Sequence, residues 1–434
     1  MTKRPVTETL QRTLERFYRR TTQGIKPGLD VIAALLEQAG QPQQSCPYIH
    51  VAGTNGKGSV CALIASVLHQ AGYRTGLYTS PHLRDFNERI QVDGQPLPDD
   101  DLVRLIDQIE QDSDVVEQAT GLRRATFFEC ATAMAWRYFH QKQVDWAVLE
   151  TGMGGRWDAT NVGTPALALI TPVAIDHVDY LGRELRGIAA EKAGIIKAGV
   201  PVVCGRQDPV VAEVVSARAR EVGAPLCWAE DLVQLERLAQ DWHGQKIRVT
   251  TSSGPYRPLT LALLGRHQLQ NAALALAALD VLQAHGRLVF SEQALRAGWA
   301  QCRWPARLQV CSTDPLVILD VAHNPHGARA LMAALEELLG DRPLAMVVGF
   351  LRDKDVVGCV QWFARRAERF WSVPTGGERG CSAEDVARLI ATTGKPVVAC
   401  DWPTAEAAAR KWAAETGGAV CIAGSLYLAG AVLP

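Results

Sequence analysis

One glycine-rich turn in this sequence, Gly53-Thr54-Asn55-Gly56-Lys57-Gly58-Ser59, has residue types and spacing suited to phosphate chemistry. Backbone N–H groups in such a turn, and in the first turn of a helix behind it, lack internal partners and point at an anion. Lys57 adds a full positive charge, and the helix dipole has its positive end there. Gly53, Gly56 and Gly58 let the backbone approach phosphate oxygens with no Cβ in the way. The common phosphate loop reads G-x-x-x-x-G-K-[ST]. Here Val51 stands at the first glycine position and the hydroxyl comes at Ser59, two residues past the lysine. The bland reading is a strand-to-helix turn that happens to hold a lysine; nucleoside triphosphate binding is the stronger one.

Other polar residues fall at the ends of apolar runs. Ser80 precedes Pro81-His82, Glu150 closes Val144–Glu150, and Asp176-His177 and Asp179 follow Ala166–Thr171. Glu191-Lys192-Ala193-Gly194 lies in a helical stretch beyond them. Hard oxygen ligands with one imidazole beside a triphosphate suit Mg²⁺, which keeps several waters and takes few protein ligands. Taken alone, Ser80 is also an ordinary turn or cap residue and His177 a structural histidine. Glu150 resists a bland reading, because a buried carboxylate costs on the order of several kcal/mol unless paired or metal-bound.

The elements that must position these residues alternate. The apolar run at Tyr48–Ala52 reads as a strand, and Val60, Leu63, Ile64, Val67, Leu68 and Ala71 recur on one helical face after the turn. Strands are expected at Thr75–Thr79, Val144–Glu150 and Ala166–Thr171, and helices at Asp101–Val116 and Ala125–His140. Each strand runs into a polar or glycine-rich loop and most into a helix, the pattern of a parallel α/β sheet with ligands at the carboxyl ends of its strands. A β-ribbon is expected at Lys246–Thr251 and Leu259–Leu263, then an alanine- and leucine-rich helix over Gln268–Leu282. Gly298–Pro305 is the candidate domain boundary. Beyond it strands are expected at Val317–Val321, Leu344–Val348, Phe370–Ser372, Val397–Ala399 and Ala419–Ile422, with no second phosphate loop.

At 434 residues the chain exceeds one ordinary core. Its 47% hydrophobic and 21% charged residues are those of a soluble globular protein. A net charge of −1 argues against nucleic-acid or membrane-surface binding, so an anionic substrate must be held by local basic groups. The 11 cysteines are scattered without a C-x-x-C pair, which suggests reduced thiols and no zinc site. The first twenty residues carry charges throughout, so no signal peptide is expected. No apolar run approaches the roughly 18 residues of a membrane span. A cytoplasmic protein is expected.

The phosphate turn, Ser80-Pro81-His82-Leu83, Asn87-Glu88-Arg89-Ile90 and Glu150–Asn161 resemble the signature blocks of folylpolyglutamate synthases. So do Asp176-His177, Glu191–Gly194, Asp320–His326 and Gly424-Ser425-Leu426-Tyr427. That family includes bifunctional dihydrofolate synthases and belongs to the Mur ligases. The resemblance implies an N-terminal ATPase-type parallel-sheet domain over 1–300 and a smaller Rossmann-like α/β domain over 301–434. It implies that ATP phosphorylates a carboxylate and that L-glutamate then attacks the acyl phosphate. Thr54, Asn55, Gly56, Lys57, Gly58 and Ser59 resemble the phosphate-holding residues, with Asn271, Arg307 and Asp320 completing the ATP site. Ser80, Glu150 and His177 resemble the Mg²⁺ ligands, His323 a histidine near glutamate or phosphate, and Lys192 a carbamylated lysine (N6-carboxylysine). Ala306 replaces a glycine common before the arginine.

Ile25, Lys26, Pro27, Thr126, Phe127, Phe128, Glu129, Trp157, Asp158 and Ala159 resemble the pterin contacts. Aromatic faces for a flat ring and a carboxylate for its N–H donors make chemical sense there, although Phe127 and Phe128 also suit a helix core face. Arg89 and Arg156 could each hold the substrate carboxylate or form a structural ion pair. The expected activity is glutamate addition to dihydropteroate and to the γ-carboxyl of folates by a monomer. The alternatives are a folylpolyglutamate synthase alone and a nucleotide-binding switch with no ligase activity. A peptidoglycan ligase is disfavoured, because the Ser80–Leu83 and Asn87–Ile90 blocks match the folate branch.

Overall fold

Short apolar runs between polar loops become strands buried on both faces, and two large sheets result. The structure is a computed structural model that describes residues 7–23, 26–252, 254–377 and 379–433. The first sheet contains β1 (Tyr48–Ala52), β2 (Thr75–Tyr78), β3 (Ile90–Val92), β4 (Gln95–Pro96), β5 (Trp146–Glu150), β6 (Leu167–Ile170), β7 (Val202–Cys204) and β8 (Leu226–Trp228). Their order is β4-β3-β2-β5-β1-β6-β7-β8. Pairing is parallel from β2 to β8, and the short β3 and β4 are antiparallel at one edge.

Strand alternation divides the residues between two cores. Ile49, Val51 and Val148 pack with the helices Lys57–Gln70, Arg266–Ala284 and Glu292–Gln301 around Leu63, Leu276 and Trp299. Tyr48, Ala147 and Leu149 face the helices Glu8–Tyr18, Asp30–Gln38, Asp99–Thr120 and Phe127–Gln141 around Phe17, Ile32 and Trp136. The helix behind the phosphate turn is buried on nearly every side. It is a fixed wall, and Leu63→Ala there would cost about 2–5 kcal/mol. Asp99, Asp100 and Asp101 open the longest helix against its dipole, and Gly121 ends it in the left-handed region.

Three antiparallel strands, β9 (Val233–Asp241), β10 (Gly244–Thr251) and β11 (Gly254–Leu261), form a meander against the Arg266–Ala284 helix. The sequence pattern anticipates a ribbon here but not β9, whose charged and polar residues leave only Val233 fully buried. The second large sheet contains β12 (Gln309–Thr313), β13 (Leu316–Leu319), β14 (Leu344–Val348), β15 (Arg369–Ser372), β16 (Val397–Ala399) and β17 (Ala419–Ala423). Its order is β12-β13-β17-β14-β15-β16, parallel except for the half-buried edge strand β12, which sequence reading also misses. The fold is mixed α/β, a parallel-sheet N-terminal domain followed by a separate C-terminal sheet domain. All eleven cysteines are free and seven are buried. Among the described residues no helix is long and apolar enough to cross a membrane.

Candidate active site

β1 ends where the strand order reverses, with β5 on one side and β6 on the other. Such a switch point opens a crevice at the carboxyl ends of the strands. Gly53 crosses it with φ +148°, and a Cβ there would stand 1.9 Å from Thr171 Oγ1. Gly56 has φ +87°, and its Cβ would meet Asn271 Oδ1 at 2.4 Å. The turn therefore needs glycine at both positions, for conformation and for space.

One expectation about the turn is corrected. The N–H groups of Thr54 and Asn55 both donate to the Pro172 carbonyl, at 3.0 and 3.3 Å, so they are held by the loop after β6 and do not face an anion. The Thr54 hydroxyl likewise bonds both the carbonyl and the N–H of Ala174. The positive charge on this side of the cleft comes from Lys57 and the start of the Lys57–Gln70 helix. The Lys57 ammonium donates to Thr54 O at 3.2 Å and lies 3.8 Å from Glu150 Oε1. Ser59 is buried and accepts from Gln268 Nε2, which places it against the Arg266–Ala284 helix that carries Asn271.

Glu150 closes β5 opposite Val51 and is 6% exposed. Burial pushes its carboxyl above the ordinary value, opposed by the Lys57 charge and the Ser80 N–H at 3.1 Å. His177 sits at φ +53° after β6, and burial, then Lys354, lowers its pKa to about 4. Its imidazole is neutral at pH 7, with a lone pair available to a cation. Ser80, Glu150 and His177 line one cleft of about 380 Å³. They offer it a hydroxyl, a carboxylate and a neutral imidazole, a donor set that fits a hard divalent ion. Among the described residues no three His, Cys, Asp or Glu side chains converge on one metal position, and Mg²⁺ keeps several waters among its ligands.

The other wall belongs to the second sheet. Arg307 lies in the linker between two residues in the left-handed region, Ala306 (φ +54°) and Leu308 (φ +47°). Burial pushes its guanidinium below the usual value, while Asp320 and Glu150 pull it up. A buried cation so placed favours an incoming anion. Asp320, after β13, has both oxygens held by backbone, accepting from Leu308 N at 2.9 Å and Ala322 N at 2.8 Å. His323 Nδ1 donates to Val321 O at 2.7 Å, which turns Nε2 toward Asp176 Oδ2 at 3.6 Å. Arg307, Asp320 and His323 share the cleft with the phosphate turn, Ser80, Glu150, His177 and Asn271.

Lys192 lies behind the turn. It is 4% exposed, does not line the cleft, and donates to Gly53 O at 2.7 Å. Burial, then the Lys57 charge, lowers its pKa from 10.5 to about 7.

Among the described residues none of the expected pterin contacts lines the cleft itself, although Phe128 and Asp158 touch Gly152 and Met153, which do. Ile25 lies outside the described residues, Lys26 and Pro27 are exposed, and Ala159 is buried. Phe127 stacks on Tyr18 with centroids 5.6 Å apart and contacts Phe17 and Phe86. Arg89 lies over that ring at 5.3 Å, buried, and donates to His82 Nδ1 at 2.8 Å. Phe128 lies so close to Gly152 that a Cβ there would stand 2.4 Å from its ring. Glu129 receives both nitrogens of Arg123, at 2.7 and 2.9 Å, and forms a capping box with Thr126. Asp158 accepts from Met153 N, Thr160 N and Thr160 Oγ1. Trp157 is 52% exposed, and Arg156 pairs loosely with Glu191 at 3.7 Å.

Sequence reading assigned no site role to Trp304, His326 or Lys354, which line the cleft, or to the buried Asn324. Lys354 follows β14 within Leu351-Arg352-Asp353-Lys354-Asp355, and the rule that ligands gather at strand carboxyl ends could have found it.

Two stretches of the chain match known domains. Residues 102–279 match the Mur ligase middle domain, and residues 306–426 match the Mur ligase glutamate ligase domain. The folylpolyglutamate synthase of Lacticaseibacillus casei is 38% identical over 408 residues, which is 92% of this chain and 92% of that one. The chain belongs to the folylpolyglutamate and dihydrofolate synthase family of Mur ligases. The dihydrofolate synthase/folylpolyglutamate synthase of Bacillus subtilis is 37% identical over 332 residues, 76% of this chain and 77% of its own. The crystal structure of Mycobacterium tuberculosis folylpolyglutamate synthase complexed with ADP and AMPPCP matches with a TM-score of 0.90 at 35% identity, covering 97% of this chain and 98% of that one. As a member of this family the chain is an ATP-dependent ligase that joins an acid to an amino acid.

Proposed function

We propose that the chain uses ATP and Mg²⁺ to add L-glutamate to dihydropteroate and to the γ-carboxyl of folates. The observation that carries this reading is the shared cleft, where Lys57, Glu150 and His177 of the first sheet face Arg307, Asp320 and His323 of the second. A division at 1–300 and 301–434 puts one wall on each domain. The eleven unpaired cysteines fit a protein working in a reducing cytoplasm.

A carboxylate is a poor electrophile. Transfer of the ATP γ-phosphoryl group to it gives an acyl phosphate and ADP. The glutamate amine then attacks the carbonyl carbon, and the tetrahedral intermediate expels phosphate as the amide forms and the surplus proton leaves. The protein's task is to position the reactants and offset negative charge. Lys57, the helix start behind it and Arg307 supply positive charge to the phosphates, while Asn271 and Asp320 face the nucleoside. His323, its Nδ1 fixed by Val321 O, would act beside the incoming glutamate or the phosphate. Ser80, Glu150 and His177 would hold Mg²⁺, which supplies charge neutralisation at the phosphoryl oxygens.

Lys192 would carry a carbamate. That reaction needs a neutral amine, and a pKa of about 7 leaves roughly half of it neutral at pH 7. Dihydropteroate as acceptor is supported by the activity named for the B. subtilis relative. Folylpolyglutamate synthesis alone is the second reading. It is favoured by Glu129 and Asp158, whose carboxylates are already engaged by Arg123, Thr126, Met153 and Thr160 and are poorly placed to read a pterin.

The test is phosphate release with ATP, Mg²⁺ and L-glutamate, with dihydropteroate as acceptor in one reaction and tetrahydrofolate in the other. A glutamylated product in both is expected. Release with tetrahydrofolate alone would leave the second reading, and release with neither, beside intact ADP binding, would remove both.

A further inference from the structure

The phosphate turn is tied to the second domain by a hydrogen-bond chain that accounts for nearly every polar atom in it. Asn55 Nδ2 donates to Asn324 Oδ1 at 3.2 Å, and Asn324 Nδ2 donates back to Asn55 Oδ1 at 3.0 Å. Asn55 Nδ2 also meets His326 Nδ1 at 3.0 Å. Asn324 Nδ2 further donates to Asp176 Oδ2 at 3.0 Å, and Asp176 Oδ1 accepts from Lys354 Nζ at 2.7 Å. Asn55 and Asp176 follow β1 and β6 of the first sheet. Asn324, His326 and Lys354 follow β13 and β14 of the second. Asn324 is 3% exposed, and the Asp176 and Lys354 side chains are each 7% exposed, so water screens the chain poorly.

A primary amide has two N–H donors and an oxygen with two lone pairs. Asn324 uses all four, because its oxygen also caps the helix Pro325–Leu339 through Gly327 N at 2.8 Å. Asn55 gives its two side-chain donors to Asn324 and His326, and its backbone N–H goes to Pro172 O. No donor of Asn55 remains for a phosphate.

We infer that the Asn55 side chain is a positioning residue. With Asn324, Asp176 and Lys354 it forms a clasp that seats Arg307 and His323 over the phosphate turn, and it does not itself bind nucleotide. The inference rests on the ligase reading and assigns the cross-domain part of that site. Nucleotide can still bind an opened protein through Lys57 and the helix start, but phosphoryl transfer needs both walls. Losing the clasp should therefore lower kcat and spare nucleotide affinity.

Asn324→Ser separates the roles of Asn324, since serine still caps a helix but cannot reach Asn55 as an amide. Asn324→Asp also keeps the cap and sets a second carboxylate beside Asp176. Asn55→Ala removes the other half. Kinetics of phosphate release, ADP binding by calorimetry and the radius of gyration of the ADP-bound protein are measured for each.

Asn324→Ser and Asn55→Ala each lose the two Asn55–Asn324 bonds and one more, to Asp176 or to His326, so kcat should fall on the order of tenfold or more. The dissociation constant for ADP should change less than about threefold, and Asn324→Asp should be the slowest single variant. The loss in Asn55→Ala with Asn324→Ser should be well short of the sum of the two, because both delete the same reciprocal pair. Fully additive losses, an unchanged kcat in Asn324→Ser, or ADP binding weakened in Asn55→Ala as much as in Lys57→Ala would each overturn the inference. Should the wild-type protein show no glutamate-dependent release, the ligase reading fails first. The scattering data then decide the clasp alone: a larger radius in Asn324→Asp supports it, and an unchanged radius overturns it.

Discussion

Replacing Lys192 with methionine should change how stability depends on pH, by an amount the structure sets. The ammonium is buried, with Gly53 O at 2.7 Å as its hydrogen-bond acceptor and Lys57 near enough to repel it. In the unfolded chain the group titrates near 10.5, and in the folded protein at about 7. Between those values the unfolded chain holds a proton that the folded protein has released, so stability rises with pH across the window. It falls again as pH drops toward 7. Below that both states are protonated and the native state carries the full burden of a buried ammonium. The drop from 10.5 to about 7, at about 1.36 kcal/mol per pH unit, makes the whole effect about 5 kcal/mol. From pH 7 to pH 9.5 about 3 kcal/mol of it should appear.

The assay is urea unfolding of wild type and Lys192→Met at both pH values in carbon-dioxide-free buffer, which prevents carbamate formation from altering the titration. Groups distant from the site titrate alike in the two proteins, so the difference reports Lys192 together with its coupling to Lys57 and Asp176. Wild type should gain on the variant by about that 3 kcal/mol. Parallel profiles would refute the claim that burial depresses this lysine, and with it the physical basis for carbamylation. Adding bicarbonate should then raise the mass of the intact protein by one carbon dioxide, in wild type only.

Three more outcomes can be checked together. Glu150→Gln removes a charge that burial already disfavours, so unfolding free energy should hold or rise slightly while phosphate release falls on the order of a hundredfold; retained turnover would detach Glu150 from the reaction. Gly53→Ala drives a Cβ into Thr171 at 1.9 Å and should destabilise by on the order of 3 kcal/mol, read by urea denaturation, with weaker ADP binding. Ala306→Gly relieves a left-handed alanine at φ +54° and should raise stability by about 0.5–1 kcal/mol, since the strain released exceeds the entropy that glycine adds to the unfolded chain; a loss on melting would count against strain there.

What could be read from sequence was what is local. A strand, a glycine turn and a lysine at a helix start occupy consecutive residues, so Lys57 announces its own chemistry. Glu150 is legible because an apolar strand ending in a carboxylate violates transfer energetics unless the group has a task. Glu129 carries a second signal in the sequence: Thr126-Phe127-Phe128-Glu129 is a capping box in plain sequence, and the structure engages that carboxylate in the helix start and with Arg123. β9 escaped because a polar strand held on one face has little apolar periodicity to show.

The clasp could not be read from periodicity at all. Asn55 and Asn324 stand 269 residues apart, and no local pattern encodes which loops of two separate sheets will meet. Each sheet gathers polar residues at its own carboxyl ends for its own topological reasons, and the cleft exists because those two ends face one another. Residues that act within one wall are therefore visible as motifs. Residues whose task is to join the walls look, in sequence, like ordinary asparagines at turns and helix caps, and only the geometry between domains distinguishes them.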